Sequence, residues 1–353
     1  MSSTRLFGLI ERYALLMLGV VIFVFFAFNA ATPQFATEVN LRNVLRNQSI
    51  LGILVIATLV PIVAGKIDLS VGPNAGLCAM VFAGMMSRLQ MELGYAIVVA
   101  LVVGLLVGAV NGLLVAGLGI DSIVVTLGTL SIIAAVVNWY SGGLSIVTNL
   151  SPYLPDIGRA EWLGFARPFW VFLLLAVVAY YILQHTPIGR YVYSAGANPK
   201  AAELVGLRVR RYTVASFVIS GGLAAIAGVL MVAMQGGANP QLGPAYMLPA
   251  LAAVFLGTTA ITPGRPNVPG SVLAVFFIAI SVNGLTLLGS AVWVNPLFNG
   301  IALLVGVGAS VYSGKRRRMG KAPRSLLPTR GVEGATTADP EPVLETTSSA
   351  PST

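Results

Sequence analysis

Several polar side chains interrupt otherwise apolar stretches of this 353-residue sequence, and their types suit one kind of chemistry. Amide, hydroxyl and carboxylate groups among apolar residues can hydrogen-bond a polar solute, and weak binding of that kind lets a solute pass. The same groups can instead bond one helix to another, for about 0.6 kcal/mol each. The candidates for either role are Asp68, Ser70, Gly72, Asn74, Asn111, Asn138, Asn283 and Asn299. For each amide taken singly, bonding between helices is the simpler explanation.

Asp68 lies at a break between two apolar stretches. A carboxylate in such a place is costly unless it is paired or hydrogen-bonded. It can cap the following helix through the amides of Ser70 and Val71, and Pro73 suits a helix start. Lys66 is close enough in sequence to pair with the carboxylate. We therefore expect a capped helix break here, with direct contact to a solute as the alternative.

The motifs of nucleotide and metal chemistry are missing from the sequence. A phosphate-binding loop needs a Gly-Lys pair followed by Ser or Thr, and none of the three Gly-Lys pairs has one: Gly65-Lys66, Gly314-Lys315 and Gly320-Lys321. Cys78 and His185 are the single cysteine and the single histidine, too few for a zinc site. We expect no enzymatic activity, no metal and no cofactor in this chain, so any ATP hydrolysis must come from another subunit.

The composition predicts a membrane protein. Hydrophobic residues make up 56% of the chain and charged residues only 9%, against roughly 25% charged residues in soluble domains. A span needs about 20 apolar residues, so we predict an all-α polytopic protein of about ten transmembrane helices. The predicted spans are 13–30, 48–64, 73–86, 94–118, 122–140, 168–183, 212–234, 246–261, 269–288 and 292–312. Acids are nearly absent from these spans, which counts against an ion-coupled carrier.

Charge placement predicts the orientation. The first apolar stretch is long for a signal peptide and lacks a clear cleavage site, so it is interpreted as a span that is kept. Basic residues crowd the C-terminal end: Lys315, Arg316, Arg317, Arg318, Lys321, Arg324 and Arg330. Beside a last apolar stretch they indicate the cytoplasmic side rather than nucleic-acid binding. Residues 1–12 are then a cytoplasmic N-terminus, 13–313 a membrane domain and 314–353 a disordered cytoplasmic tail.

One pair of residues disagrees with that orientation. Arg42 and Arg46 fall on the outer side, where we expect a short interfacial helix after an Asn40 cap to hold them. Small residues recur every four positions in three spans, at 104, 108 and 112, at 220, 224 and 228, and at 302, 306 and 310. Such stripes let helices approach closely within one chain or between two copies, and the spacing leaves both possibilities open.

The predicted cytoplasmic loop 185–211 contains a short helix with definite ends. Asn198 suits an N-cap, and Pro199 suits the first helical position. Lys200–Val205 follows for about two turns, and Gly206 supplies a left-handed stop. A short rigid helix of this kind can dock into the groove of a partner, whereas a simple connector between spans would not need such definite ends.

This loop resembles the cytoplasmic coupling segment of ribose-type ABC permeases, the membrane subunits of bacterial monosaccharide importers. The residues in register with that family pattern are Thr186, Gly189, Arg190, Gly196, Asn198, Ala201, Ala202 and Gly206. The segment Ile67–Gly72 resembles a second family motif, although Lys66 stands where the family usually has glycine. The segment Ala252–Thr258 resembles a third, whose glycine-rich continuation is altered. The resemblance extends over about residues 43–314.

The resemblance implies a type II ABC importer-like permease that works as a homodimer in a lipid bilayer. Two cytoplasmic ATPase subunits and an extracytoplasmic solute-binding protein would be its partners. The residues expected to couple to the ATPase are Gly189, Arg190, Gly196, Asn198, Lys200, Ala201, Ala202, Glu203 and Gly206. The expected solute is a monosaccharide such as ribose or xylose. A nucleoside, an autoinducer or a branched-chain amino acid is the alternative within this class, and an ion-coupled carrier is the alternative outside it.

Overall fold

The computed structural model describes residues 3–319, with side chains described for 12–309. Fourteen α-helices and one β-hairpin make up this part of the chain. The helices in the first half are α1 Ser3–Phe28, α2 Glu38–Val63, α3 Val71–Leu89, α4 Leu93–Gly117, α5 Ser122–Ser141, α6 Leu154–Gly158 and α7 Arg167–His185. Those in the second half are α8 Pro187–Ala197, α9 Pro199–Leu204, α10 Val209–Gln235, α11 Leu242–Ala245, α12 Met247–Gly257, α13 Val268–Leu287 and α14 Val294–Met319. The hairpin pairs β1 Glu161–Trp162 with β2 Phe165–Ala166 in antiparallel register.

The long helices form a membrane-spanning bundle. Six of the described helices are long and apolar enough to cross a bilayer: α2, α4, α5, α7, α10 and α13. Three shorter apolar segments accompany them, at Arg12–Phe28, Leu242–Gly257 and Val294–Ala309. The expectation of a polytopic helical membrane protein is confirmed at this level.

The bundle has two ends, which we name by what lies there. The hairpin face carries β1, β2 and α6, and α7 leads from it to the α8–α9 face. Exposed Trp139, Tyr153 and Trp162 lie in or beside the loop of the hairpin face, and exposed Tyr180 and Tyr181 lie at the α8–α9 end of α7. Aromatic side chains of this kind concentrate at the two surfaces of a membrane, so these two ends mark the membrane boundaries.

The helix α10 is the centre of the bundle, and it packs against α2, α3 and α4. The glycine stripe of α4 lies in close contact with α10. A Cβ added at Gly108 would come within 2.3 Å of the Phe217 carbonyl oxygen of α10, and one added at Gly104 would come within 2.5 Å of the Gly221 oxygen. The stripe of α14 is used in the same way, because a Cβ at Gly306 would lie 2.6 Å from the Leu256 nitrogen. These small residues therefore serve packing within one chain.

Several predicted boundaries were wrong. The helix α2 is continuous from Glu38, so the separate interfacial helix does not exist, and its N-cap is Thr37 rather than Asn40. Arg42 pairs with Glu38 and, at 3.0 Å, with Glu161 of the hairpin. Arg42 at the start of α2 is thus neutralised by two carboxylates, one in its own helix and one in the hairpin.

Other differences concern the ends of the chain and the loops. The helix α1 already runs from Ser3, and α14 continues through Met319 into the segment assigned to the tail. Residues 320–353, the rest of that expected disordered tail, lie outside the described residues. The sequence also missed α8, although Thr186 and Pro187 form a standard helix start: the Thr186 hydroxyl accepts a hydrogen bond from the Gly189 amide.

Candidate functional site: a buried polar network and an exposed short helix

Asp68 is fully enclosed at the break between α2 and α3. Its side chain is buried, and its Oδ1 accepts hydrogen bonds from the Ser70 amide at 2.9 Å and from the Ser70 hydroxyl at 2.6 Å. The other carboxylate oxygen accepts a bond from the hydroxyl of Ser220, in α10, at 3.0 Å. Three neutral donors therefore hold the carboxylate, which compensates for its removal from water.

The network continues through two further helices. Asn111 of α4 donates from Nδ2 to the Ser70 hydroxyl oxygen at 2.9 Å. Thr129 of α5 donates to Asn111 Oδ1 at 2.6 Å. Asp68, Ser70, Asn111 and Ser220 are each almost wholly buried. The network therefore joins α4, α5 and α10 to one helix break, and its polar groups bond to one another rather than to an open cavity.

Sequence reasoning was right about the Ser70 amide and wrong about two other partners. Asp68 does not pair with Lys66: both ion pairs formed among residues 12–309 are those of Arg42. The Val71 amide is not a donor to the carboxylate either. The hydroxyl of Ser220 takes that place, and it brings the carboxylate toward α10 and away from the partly exposed Lys66.

A second break lies against the first. The short helix α11 ends at Ala245 and α12 begins at Met247. A Cβ added at Gly72 would lie 2.6 Å from the Gly243 oxygen and 3.0 Å from the Met247 nitrogen. The start of α3 therefore touches the α11–α12 break backbone to backbone. Asn74, one turn further along α3, donates to the Gly104 carbonyl of α4 at 3.4 Å.

The remaining candidate amides lie elsewhere. Asn138 is exposed and donates to the Ala134 carbonyl of its own helix. Asn283 pairs with Asn40 through two side-chain bonds of 2.8 and 3.2 Å, which joins α13 to α2. Asn299 lies partly buried on α14, and its amide oxygen makes no hydrogen bond. The structure thus brings together Asp68, Ser70 and Asn111, with Gly72 and Asn74 adjoining, and separates the other three.

The short helix of the 185–211 loop forms as the sequence predicts. The Asn198 side chain accepts a hydrogen bond from the Ala201 amide at 3.1 Å, and Pro199 is the first residue of α9. Gly206 has a φ of +83°, the left-handed conformation that stops the chain from continuing as a helix. The helix ends at Leu204, one residue earlier than predicted.

The side chains of α9 divide into a buried anchor and an exposed surface. Ala202 is buried, whereas Lys200, Ala201 and Glu203 face outward. Leu204 and Val205 at its end are 88% and 77% exposed. We call these two residues the apolar tip. Sequence reasoning overlooked them, although two adjacent aliphatic residues directly before a left-handed glycine in a polar loop were the available signal.

The preceding helix α8 fixes α9 to the rest of the bundle through backbone contact. A Cβ added at Gly196 would come within 2.1 Å of the Val63 oxygen, at the end of α2. One added at Gly189 would come within 2.3 Å of the Leu183 oxygen, in α7. Gly65, with a φ of +74°, lies against the Gly196 carbonyl from the other side. These glycines thus position α8, and Arg190 remains exposed beside them.

A tyrosine ties α8 to the loop between α12 and α13. The Tyr193 hydroxyl donates to the Pro266 carbonyl at 2.6 Å, and the Arg265 guanidinium lies 3.6 Å from the centre of its ring. Burial raises the pKa of the Tyr193 phenol, and the Arg265 cation partly opposes that rise. The phenol therefore stays protonated near neutral pH and keeps its hydrogen bond.

Comparison with known proteins identifies relatives of this chain. Residues 40–307 match the family model described as branched-chain amino acid transport system / permease component. The ribose import permease protein of Haemophilus influenzae is 33% identical over 312 residues, covering 88% of this chain and 95% of that protein. The ribose import permease protein of Escherichia coli K12 is 30% identical, covering 85% and 93%. The autoinducer 2 import system permease protein of Salmonella typhi is 32% identical, covering 87% of each.

No solved structure gives a significant match to the chain. The alignments with the ribose import permeases, by contrast, cover nearly the whole length of those proteins. They include the residues of the α2–α3 break and of the α8–α9 segment of this chain. The chain therefore belongs to the ribose-type permease family of ABC importers, within the branched-chain amino acid transport system permease components.

Proposed function

We propose that this chain forms the translocation pathway of an ATP-driven importer for a monosaccharide such as ribose or xylose. A cytoplasmic ABC ATPase would dock on α9, and an extracytoplasmic solute-binding protein would deliver the sugar at the hairpin face. Two copies of the chain would line the pathway as a homodimer, each with about ten transmembrane helices and both termini in the cytoplasm. The positions expected to couple to the ATPase are the exposed α9 residues Lys200, Ala201 and Glu203, together with the apolar tip.

The observation that carries the proposal is a series of backbone segments and backbone contacts that connects the apolar tip to the α2–α3 break. The tip ends α9, and α8 rests through Gly196 on the last turn of α2. Three residues beyond Gly65 the chain reaches Asp68, which is bonded to α10 and, through Ser70, to α4. A force applied to the tip would therefore reach the helices that surround the break without crossing a flexible linker.

Leu204→Asp is the direct test. Small docking elements depend on a few apolar anchors, whose loss typically costs 2 kcal/mol or more, about 30-fold in affinity. We expect the variant to lose the ATPase subunit on co-purification and to lose ATP-dependent ribose uptake in proteoliposomes that also contain the binding protein. Leu163→Asp is the matched control for the co-purification, because Leu163 is equally exposed, at 88%, but lies on the opposite, hairpin face, so this variant should keep the ATPase subunit. Undiminished ATPase association in Leu204→Asp would refute the docking role.

The orientation has its own test, in which one exposed cysteine is introduced at a time. Cys78 is buried in the bundle and should not react. Glu203→Cys lies on α9 and Leu163→Cys on the hairpin, both at exposed positions. In intact cells we expect a membrane-impermeant maleimide to label Leu163→Cys and to reach Glu203→Cys only after the membrane is opened. The reverse labelling pattern would overturn the proposed topology.

A further inference from the structure

The outward side of α10 carries a narrow ridge flanked by two clefts. Ala215 and Ile219 form the ridge, and both are exposed. The first cleft lies between the ridge and α7, α8 and α2, and the second lies between the ridge and α4. Both clefts contact the same two ridge residues, so they run side by side along one helix.

The first cleft is almost entirely apolar and narrow. It encloses about 150 Å³ and is lined along its length by residues such as Val178, Leu223 and Ile188. An α-helix with its side chains is about 10 Å across, so it could lie over this open cleft but could not enter it. A single hydrocarbon chain is of the right width. The cleft therefore favours an acyl chain over a protein segment.

The second cleft is apolar along most of its length and cationic at one end. Leu113, Val214 and Val218 line it within the membrane, and Arg210 and Arg211 line its end. The Arg210 guanidinium lies over Gly117 at the end of α4, because a Cβ added there would be 3.1 Å from its Nη2. Neither arginine forms an ion pair with any carboxylate among residues 12–309. Two cations thus lie at the mouth of the paired clefts without an anionic partner from the described chain.

Aromatic residues place this mouth at the level of the lipid headgroups. Tyr212 follows Arg211 directly and packs against Tyr191 with ring centres 5.9 Å apart. Tyr181 stacks on His185 at 5.8 Å at the nearby end of α7. Tyrosine rings, with one polar and one apolar side, are typical of the membrane interface. The arginines and these rings therefore lie where the phosphate of a phospholipid would be.

We infer that this surface is a specific site for one anionic phospholipid, with its phosphate held by Arg210 and Arg211 and its two acyl chains lying in the two clefts astride Ala215 and Ile219. Basic pockets between transmembrane helices on the cytoplasmic side are known to select anionic headgroups. An arginine fork also suits phosphate oxygens better than the point charge of a lysine does. The lipid would brace the start of α10 against α4 and α7, beside the α8–α9 segment.

The test uses the full-length protein, stripped of lipid in detergent and then given phosphatidylglycerol or phosphatidylcholine. Native mass spectrometry should show one phosphatidylglycerol retained per chain, and the unfolding temperature should rise with phosphatidylglycerol but not with phosphatidylcholine. We expect Arg210→Gln/Arg211→Gln to weaken retention at least tenfold. Arg208→Gln is the control, because Arg208 is exposed in the same loop but lines neither cleft.

A second variant separates shape from charge. Ala215→Trp places a bulky ring on the ridge and should reduce phosphatidylglycerol retention with both arginines intact. Equal retention in wild type and in the double arginine variant would overturn the site. Equal loss in Arg208→Gln would also overturn it, since binding would then follow diffuse surface charge. Disulfide formation between two copies of an Ala215→Cys variant would show that a second chain, not a lipid, covers this face.

Discussion

A Gly196→Ala variant is expected to insert into the membrane and to lose ATP-driven uptake by at least tenfold. The added methyl group would lie 2.1 Å from the Val63 oxygen and 2.8 Å from the Gly65 nitrogen. Both neighbours are backbone atoms, so α8 must move away from the end of α2 rather than a side chain adjusting. Uptake into proteoliposomes and sugar-stimulated ATP hydrolysis measure the effect, and stimulation should fall along with uptake.

Gly128→Ala is the matched control for this change. Gly128 lies within α5, and nothing is within 4 Å of a Cβ added there. Alanine is also the better helix former by about 1 kcal/mol, so this variant should transport normally. If Gly196→Ala kept normal uptake and normal stimulation, the contact between α8 and α2 could not be the route of coupling.

An Asp68→Ala variant is expected to lose several kcal/mol of stability together with uptake. Its removal leaves the Ser70 amide, the Ser70 hydroxyl and the Ser220 hydroxyl without an acceptor, all inside the bundle. Each buried donor that loses its partner costs about 1–3 kcal/mol. The unfolding temperature in detergent should therefore fall by many degrees, and uptake should be lost even from the fraction that stays folded.

Two further variants test whether the network, rather than an aspartate as such, is responsible. Asp121→Ala removes an aspartate that caps α5 from an exposed position, and it should cost only about 1 kcal/mol. Ser220→Ala removes one of the three donors and leaves the carboxylate bonded to Ser70, so its effect should be intermediate. An Asp68→Ala protein as stable as the Asp121→Ala protein would contradict the role assigned to the network.

Local sequence signals predicted the α9 segment well because its ends depend on adjacent residues. The Asn198 cap, Pro199 and the left-handed Gly206 all act within one or two turns. The partner of Asp68 could not be predicted in the same way, because Ser220 is 152 positions away and reaches it only through the packing of α10. A nearby lysine was the reasonable choice from sequence, but burial selected a neutral hydroxyl.

Hydropathy showed that the chain is a polytopic helical membrane protein, but it did not show where each helix begins and ends. It measures the part of a helix that suits lipid, so it missed the first turns of α2, which carry the charged side chains of Glu38 and Arg42. It also extended the span at 246–261 past Gly257, where α12 ends, and it missed the short helix α11 directly before that span. The break between α11 and α12 becomes understandable only from its contact with Gly72, which belongs to a distant part of the chain.

The segment from Gly65 to Asp68 is short, and its length limits how far the α2–α3 break can move independently of α8. Three residues of extended chain reach about 10 Å at most. Gly65 at one end packs closely against Gly196, and Asp68 at the other end accepts a hydrogen bond from Ser220. Because the segment is so short, the break between α2 and α3 can hardly rearrange unless α8 moves as well. We therefore expect almost no sugar to pass through this permease while its ATPase is inactive. Lengthening the segment between Gly65 and Asp68 by a few glycines should allow sugar to pass without ATP hydrolysis.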